Sequence, residues 1–401
     1  MALVYDEPLR FGLFHAPFHS KRLNPTYALE RDLLLTEHLD RLGFEEIWYG
    51  EHHSGGMEMI AAPELMIAAA AQRTKYIRLG TGVKSLPYHH PFMLAEAMAQ
   101  LDHMTRGRAI FGVGPGALPS DAVMIGLPVT ELRRRMEESL DAIIELFKGE
   151  TVTRRTDWFE LHKARLSVGC FSKPMMELAV TTIRSPAGVV AAARRGLGLL
   201  TLGPMDDAVL EHHTANWRIY EEEARKHGHA ADRSKWRITL MMHVAETREK
   251  AVADAAWGVR EFNDYTHDVV PAPPPIPRDT ADIVGAAIEK QVAIIGTPDD
   301  AINAIERVRQ KLGGFGAVLL FGNDLAPWPA QCRSFELIAE FVRPHFARAN
   351  ALRQASYDAT AQAIGELRQG AMAASNSATE AYKGKQSPCG AAAPDQQRQK
   401  A

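Results

Sequence analysis

The chain has 401 residues, 46% of them hydrophobic and 24% charged, a globular composition that can bury the core of one large barrel or of two modest domains. A formal net charge of −3 supplies no basic face for nucleic acid and no attraction to a membrane surface. Cys170, Cys332 and Cys389 are far apart with no C-x-x-C pair, no apolar run approaches the roughly 18 residues of a membrane span, and MALVYDEPLRFG is not built like a signal peptide, so a cytoplasmic protein is expected.

Short apolar runs alternate with amphipathic segments along the chain. LRFGLFH (9–15) has the pattern of a buried strand, and TYALERDLLLTEHLDRLG (26–43) that of a helix closed by Gly43. FEEIWYG is a second strand, followed by the helix PELMIAAAAQRT with Pro63 in its first turn. YIRLGTGV leads to the helix PFMLAEAMAQLDHMTRG, and RAIFGVG leads through a loop to TELRRRMEESLDAIIELFKG. A small hairpin, VTRRTDWFELHKARL, precedes the strand MELAVTT. The order resumes with SPAGVVAAARRG, LGLLTLG, a helix over 206–227, the strand WRITLMMHVAE and a helix over 250–262. An irregular insert at 266–290, stiffened by PAPPPIP, interrupts the last unit. AIIGTPDDAINAIERVRQKLGG then supplies an extra helix, capped by Thr297 with Pro298 at its first position, before GAVLLFGND and SFELIAEFVRPHF.

Eight strand-then-helix units predict a closed α/β barrel, a (β/α)8 TIM barrel with insertions, over residues 1–347. Residues 348–401 change to alanine, serine, glutamine and glycine. They read as a C-terminal extension, partly helical, then disordered from about Ala374, where large apolar groups are too few to pack.

The stretch RAIFGVGPGALPSD contains Gly112-x-Gly114-x-x-Ala117, which satisfies the dinucleotide-binding pattern. That pattern needs a helix to begin at once, because the helix N-terminus receives the pyrophosphate. Pro115 and Pro119 interrupt, LPSDAVMIGLPVT is loop-like, and the candidate acidic partners Glu131 and Glu137 lie inside a helix instead of at a strand end. A nicotinamide site is therefore rejected. Glycines at the carboxyl end of a barrel strand leave two readings open: a flat ligand approaching the backbone, or a tight loop.

Barrel chemistry gathers at the carboxyl ends of the strands. The first strand ends in Phe14 and His15, the second in Glu51, His52 and His53, the third in GVKSLPYHHP and the fifth in TTIRSPAG. Adjacent residues on an extended chain point to opposite sides, so His52 and His53 should not chelate one ion, and the same holds for His89 and His90. His15 and His19 fall in a loop, and four-ligand spacing is absent, so no metal centre is expected. One histidine of the 52–53 pair is the candidate for proton handling or cofactor contact, with a hydrogen-bonded rim histidine as the alternative. After Thr182, Ser185 is a natural helix cap and Pro186 suits the first turn. Free N–H groups there, beside Arg184, suit a phosphate, although capping alone would select the same serine and proline.

FGLFHAPFH, RLGFEEIWYGEHH, IRLGTGVKSLPYHHP, LDHMTRGRAIFGVGPGALPSDAVMIG, DWFELHKARL and IIGTPDDAI, in this order over about residues 10–347, resemble the luciferase-like flavin monooxygenases, and within them the limonene monooxygenase branch. The resemblance implies a bacterial luciferase-like barrel that uses reduced FMN and dioxygen to oxygenate a small, mostly apolar cyclic or carbonyl compound. It implies a separate flavin reductase, because the sequence contains no second nucleotide domain, and a homodimer paired through PELMIAAAAQ and PFMLAEAMAQ.

By position, His52 and Glu51 match the family's pair beside the flavin, with His52 at the catalytic histidine. Gly82 and Val83 match a non-proline cis peptide under the flavin ring, followed by Lys84. Phe14, His15, Gly114, Gly116, Thr182, Arg184, Ser185 and Gly188 complete the implied cofactor site, Ser185 at its phosphate end. Trp48, Tyr49, Tyr88 and Met124 are candidate substrate walls, each equally open to ordinary core packing. The chain departs from luciferase in the strand-four loop, where a reactive cysteine and a phosphate arginine give way to Gly114 and Pro115. Arg184 is then the candidate substitute. A deazaflavin-dependent oxidoreductase on the same barrel and a non-catalytic flavin-binding barrel are the alternatives, and the Glu51–His52 pair favours the oxygenating enzyme.

Overall fold

Alternation along the strands decides the architecture. Along β1 (Arg10–Phe18), Phe11 and Leu13 join a large outer cluster of hydrophobic residues, whereas Phe14 and Ala16 join a separate inner one. The other barrel strands are β2 (Glu46–Tyr49), β3 (Arg78–Thr81), β4 (Ala109–Gly114), β5 (Glu177–Thr182), β6 (Gly198–Thr201), β7 (Trp236–Leu240) and β8 (Ala317–Asn323). Neighbours pair in parallel in the order β3-β2-β1-β8-β7-β6-β5-β4, and pairing of β3 with β4 closes the ring. The result is the expected eight-stranded barrel with helices between its strands. The structure, a computed structural model, describes residues 4–386, which fall into two compact units divided between residues 347 and 348.

The helices that wrap the barrel lie where the sequence marks them, except that the last begins at Trp328, ahead of SFELIAEFVRPHF, and its α-helical part ends at Leu337. These are α1 (Pro25–Leu42), α2 (Pro63–Arg73), α3 (Pro91–Thr105), α4 (Leu132–Phe147), α5 (Pro186–Ala193), α6 (Asp207–Lys226), α7 (Pro298–Leu312) and α8 (Trp328–Leu337). Gly43 closes α1 at φ +77°, and Thr297 caps α7 reciprocally with Asp300. Val152–Arg155 and Glu160–Ala164 form the antiparallel hairpin read from VTRRTDWFELHKARL.

The inserts differ from the sequence reading. WRITLMMHVAE does not run as one strand: β7 stops at Leu240, and Met242–Val244 pairs instead with Ile294–Gly296 in a separate two-stranded sheet. The helix expected over 250–262 is split into Arg248–Ala255 and Val259–Asp268, at the point where the Gly258 N–H donates to the Leu325 carbonyl. The loop after β4 contains a short helix, Pro119–Met124, begun by its proline. In the second unit, the helix Ala351–Gln386 continues through the region expected to be disordered. Alanine-rich sequence favours helix intrinsically and needs no core to do so. Residues 387–401 lie outside the described residues. No helix among the described residues is long and apolar enough to cross a membrane.

Charge fills the amino-terminal end of the barrel interior. Arg237 is completely enclosed, with Nε donating to Glu46 Oε2 at 2.6 Å and Nη2 to Glu177 Oε1 at 2.7 Å. Arg78 reaches the other Glu177 oxygen at 2.6 Å. Burial alone would raise the Glu46 pKa, but the Arg237 charge holds it below the usual carboxylate range. Above this layer lies Trp48, whose indole N–H donates to Glu46 at 3.0 Å and whose ring sits 4.9 Å from the Arg237 guanidinium. Its ring occupies space that Gly80 and Gly112 leave free: a Cβ on Gly80 would stand 2.7 Å from the indole, and one on Gly112 would stand 2.8 Å from it.

Removing one partner of a buried ion pair strands the other charge. Glu46→Ala should therefore lower unfolding stability by about 3–5 kcal/mol, measured by urea denaturation. A loss within about 0.5 kcal/mol, as for an ordinary surface substitution, would show that the pair does not hold the barrel base.

Candidate active site

The carboxyl end of the barrel has an apolar floor. Phe14, Ala16 and Trp48 rise from below, and Val83, Leu202 and Phe321 pack on them while remaining partly exposed. The Gly82–Val83 peptide is cis, as the family resemblance implies. After it the chain resumes pairing with β4, Lys84 opposite Val113 and Ser85 opposite Gly114. Gly114 faces inward, where a Cβ would lie 2.7 Å from Val83 and 2.8 Å from Thr181. Gly116 adopts φ +96°, and a Cβ there would meet the Tyr88 hydroxyl at 2.2 Å. The Tyr88 hydroxyl and the Thr181 hydroxyl are both buried at this end without a hydrogen-bond partner. Such orphaned groups next to an apolar floor suit a flat ligand with polar edges.

Two carboxylate clusters flank the mouth. Glu51 is buried and accepts from the Ser85 N–H, from His89 Nε2 at 2.7 Å and from Lys84 Nζ at 2.8 Å. Burial would raise its pKa, yet the His53 and His89 hydrogen bonds and the Lys84 ammonium hold it well below the carboxylate range. His53 stands on this cluster too, with Nε2 3.4 Å from Glu51 and its ring edge-on to Tyr88.

His52 faces a different set of groups. Its Nδ1 lies 3.1 Å from Asp121 Oδ2 and its Nε2 lies 3.3 Å from Glu58 Oε2. Burial would lower its pKa, but the Glu58 and Asp121 carboxylates outweigh burial and raise it above the ordinary 6.5. Both neighbours are themselves held: Tyr265 donates to Glu58 at 2.7 Å, while Ser54 Oγ and the His53 N–H donate to Asp121. Asp121 comes from the short helix after the glycines, Glu58 from the loop after β2 and Tyr265 from the helix Val259–Asp268.

A third polar group stands at the start of α5. Ser185 caps the helix through the Ala187 N–H, and Arg133 donates to the Ser185 hydroxyl at 2.7 Å. The sequence reading missed Arg133, Asp121, Glu58 and Tyr265. Asp121 alone carried a signal: Pro119 suits a first helical position, and an acidic residue two places later suits the positive end of a helix.

Several predicted site residues lie elsewhere. Thr182 and His15 point outward, because the inward positions of their strands are Thr181 and Phe14; Thr182 bonds Thr201 and His15 lies against Asp32 of α1. Tyr49 also points outward and bonds Thr36 of α1. Trp48 fills the barrel interior below the mouth instead of walling an open pocket, and Met124, 66% exposed, is too open to enclose a substrate. Lys84 is locked between Glu51 and Glu64. The Arg184 side chain is exposed, and its carbonyl accepts from His212. Gly188 serves close packing, since a Cβ would meet the Thr181 carbonyl at 2.6 Å. A cavity of about 400 Å³, lined by Met205, Met241, Val292 and Ile294, includes none of these groups. Its rim cations Arg248 and Arg307 are paired with Asp300 and Asp207.

A closed parallel barrel with its polar groups at the strand ends defines the class, and residues 9–314 match the model of the luciferase-like monooxygenases. The chain belongs to that family. It is 45% identical over 336 residues to limonene 1,2-monooxygenase of Rhodococcus erythropolis, covering 84% of this chain and 86% of the relative. It is 43% identical over 344 residues to 4-hydroxyprotoasukamycin monooxygenase of Streptomyces nodosus subsp. asukaensis, covering 85% and 93%. Among solved structures, the fold matches the oxygenating constituent of 3,6-diketocamphane monooxygenase from Pseudomonas putida, a complex with FMN. That match has a TM-score of 0.70 and 24% identity, and covers 84% of this chain and 98% of that one.

Because His52 binds its proton more tightly in the folded chain than in the unfolded one, its contribution to stability is complete below about pH 6.5 and is lost as pH rises through the folded-state value. Melting temperature should accordingly fall across that rise, and His52→Gln should flatten this part of the profile. An identical profile in the variant would show that His52 titrates without these partners.

Proposed function

We propose that this chain is an FMN-dependent monooxygenase, the oxygenating component that receives reduced FMN from a separate flavin reductase. The observation that carries the reading is the apolar floor of Phe14, Val83, Leu202 and Phe321 beside the two orphaned hydroxyls of Tyr88 and Thr181. Bound reduced FMN supplies the electrons that activate dioxygen, so that one oxygen atom enters an organic substrate and the other leaves as water. The chain's own residues bind, shield and hold protons around that reaction. The floor keeps water from the face of the ring, which limits wasteful loss of the reducing equivalents. The hydroxyls of Tyr88 and Thr181 would supply polar contacts to the flavin. Ser185, the Gly188 N–H in the first turn of α5 and Arg133 would hold the phosphate end, with Arg133 in place of Arg184.

Glu58 and Asp121 favour the protonated form of His52 and orient its ring through Nε2 and Nδ1, which places a proton-handling group beside the mouth. Glu51 acts one step away, by fixing Lys84, Ser85 and His89 around the turn that follows the cis peptide. The relative named for limonene supports a small, mostly apolar ring or carbonyl compound as substrate. Leu65 of α2 and Met93 of α3 are exposed, which supports pairing of two copies through these helices.

In a coupled assay with reductase, His52→Ala should lower substrate oxygenation by about 10²–10⁴ while FMN still binds and hydrogen peroxide is released. His53→Ala should be milder, because that ring faces Glu51. The reverse order of damage would exchange the roles of the two histidines.

Replacing Ser185 and Arg133 by alanine should weaken FMN binding by about 1.5–3 kcal/mol for each charge-assisted bond lost, read by fluorescence titration. Unchanged affinity in the double variant would move the phosphate site elsewhere.

A further inference from the structure

A second polar cluster, outside the barrel interior and apart from the site above, is sealed between β1, α1 and the end of β8. His15, His19 and Asp32 present ligand atoms that all lie within 4.8 Å of one another. His15 Nε2 and His19 Nε2 each stand 2.9 Å from Asp32 Oδ1, and the three side chains are only 2–4% exposed. The His15 contact is out of line for a hydrogen bond, so neither nitrogen of that ring has a partner. Asp32 Oδ2, both polar atoms of the Asn323 amide and Gln331 Oε1 are likewise buried and unpartnered. His15, His19, Asp32, Asn323 and Gln331 line one cavity with about 10 Å³ of free space, room for a single ion or water.

We propose that His15, His19 and Asp32 bind a divalent first-row transition ion of the zinc class, which ties the carboxyl end of β1 to α1. Two imidazole nitrogens and one carboxylate oxygen suit such an ion; magnesium and calcium take all-oxygen sets. The surroundings of His19 are those of a metal-bound histidine. Its Nδ1 lies 2.8 Å from Asp324 Oδ2, and Arg31 donates to the other Asp324 oxygen at 3.0 Å. With Nδ1–H donating to Asp324, Nε2, which hydrogen-bonds Asp32 Oδ1 at 2.9 Å, exchanges its proton for the ion, and the Asp324 carboxylate raises the basicity of the ring. The Asn323 oxygen or a water completes four-coordination. A bound ion gives a partner to the His15 ring nitrogen that the protein leaves without a hydrogen bond, and the burial of all three ligands makes the site structural. Its consequence reaches the mouth through β1, because His15 on the outside of that strand adjoins Phe14 on the inside.

The test uses the full-length protein, stripped with chelator and then exposed to zinc chloride alone. Elemental analysis should find one zinc per chain after desalting. At free zinc about 100-fold above Kd, the folding equilibrium should shift about 100-fold toward the native state in thermal or urea unfolding. Asp32→Asn and His15→Gln should each lose stoichiometric retention and this shift. Should the variants not fold, X-ray absorption on zinc-loaded wild-type protein decides the matter through nitrogen and oxygen ligands at about 2.0–2.2 Å. Substoichiometric zinc, retention unchanged in both variants, or sulfur ligands at about 2.3 Å would overturn the proposal.

Discussion

Arg237 cannot be solvated where it stands, and the rest of the barrel is arranged around that constraint. A guanidinium taken wholly out of water needs opposite charge and full hydrogen bonding, or it would not remain there. Glu46 and Glu177 supply both from strands on opposite parts of the ring, and Arg78 balances the second carboxylate. The four charges connect β2, β3, β5 and β7 across the interior, so their mutual register is set by electrostatics as well as by backbone pairing. Trp48 is the next consequence. Its indole N–H completes the coordination of Glu46, and its ring spreads over Gly80 and Gly112, which have no side chains to oppose it. The apolar floor of the mouth rests on that ring.

Above the floor, the same physics runs in the opposite sense. Carboxylates there are not used to neutralise one arginine but to hold imidazoles in charged or oriented forms. His52 is clamped by Glu58 and Asp121, while His53 and His89 converge on Glu51 with Lys84. Adjacent histidines thus serve separate clusters. Tyr88 bridges the two regions sterically: its ring meets His53, and its hydroxyl sits where Gly116 leaves room. A ligand entering this mouth meets a charged rim and an apolar base, an arrangement that binds polar ends and shields a reactive centre.

Much of this was legible in the amino-acid order. The eight strand-helix units, the Gly43 and Thr297 helix boundaries, the hairpin after α4 and the divergence of His52 from His53 follow from local periodicity, capping and alternation. Three of the misplaced residues share one cause. For Thr182 and His15, naming a strand end is not enough; the inward face must be known, and it belongs to Thr181 and Phe14. Tyr49 fails for the same reason, one residue from the inward-facing Trp48.

By itself the sequence determined where most of the barrel strands and helices lie, that they alternate eight times, and which residue types stand at the strand ends. These are properties of neighbours within a few positions, and periodicity and capping encode them directly. Only the tertiary structure decided that Asp121, Glu58 and Tyr265 would meet at His52, that Arg133 would reach Ser185, and that His15 would lie beside Asp32. Those meetings join residues from separate loops and helices. No short-range pattern records them, because closing the barrel, and not the local chain, brings their side chains within reach of one another.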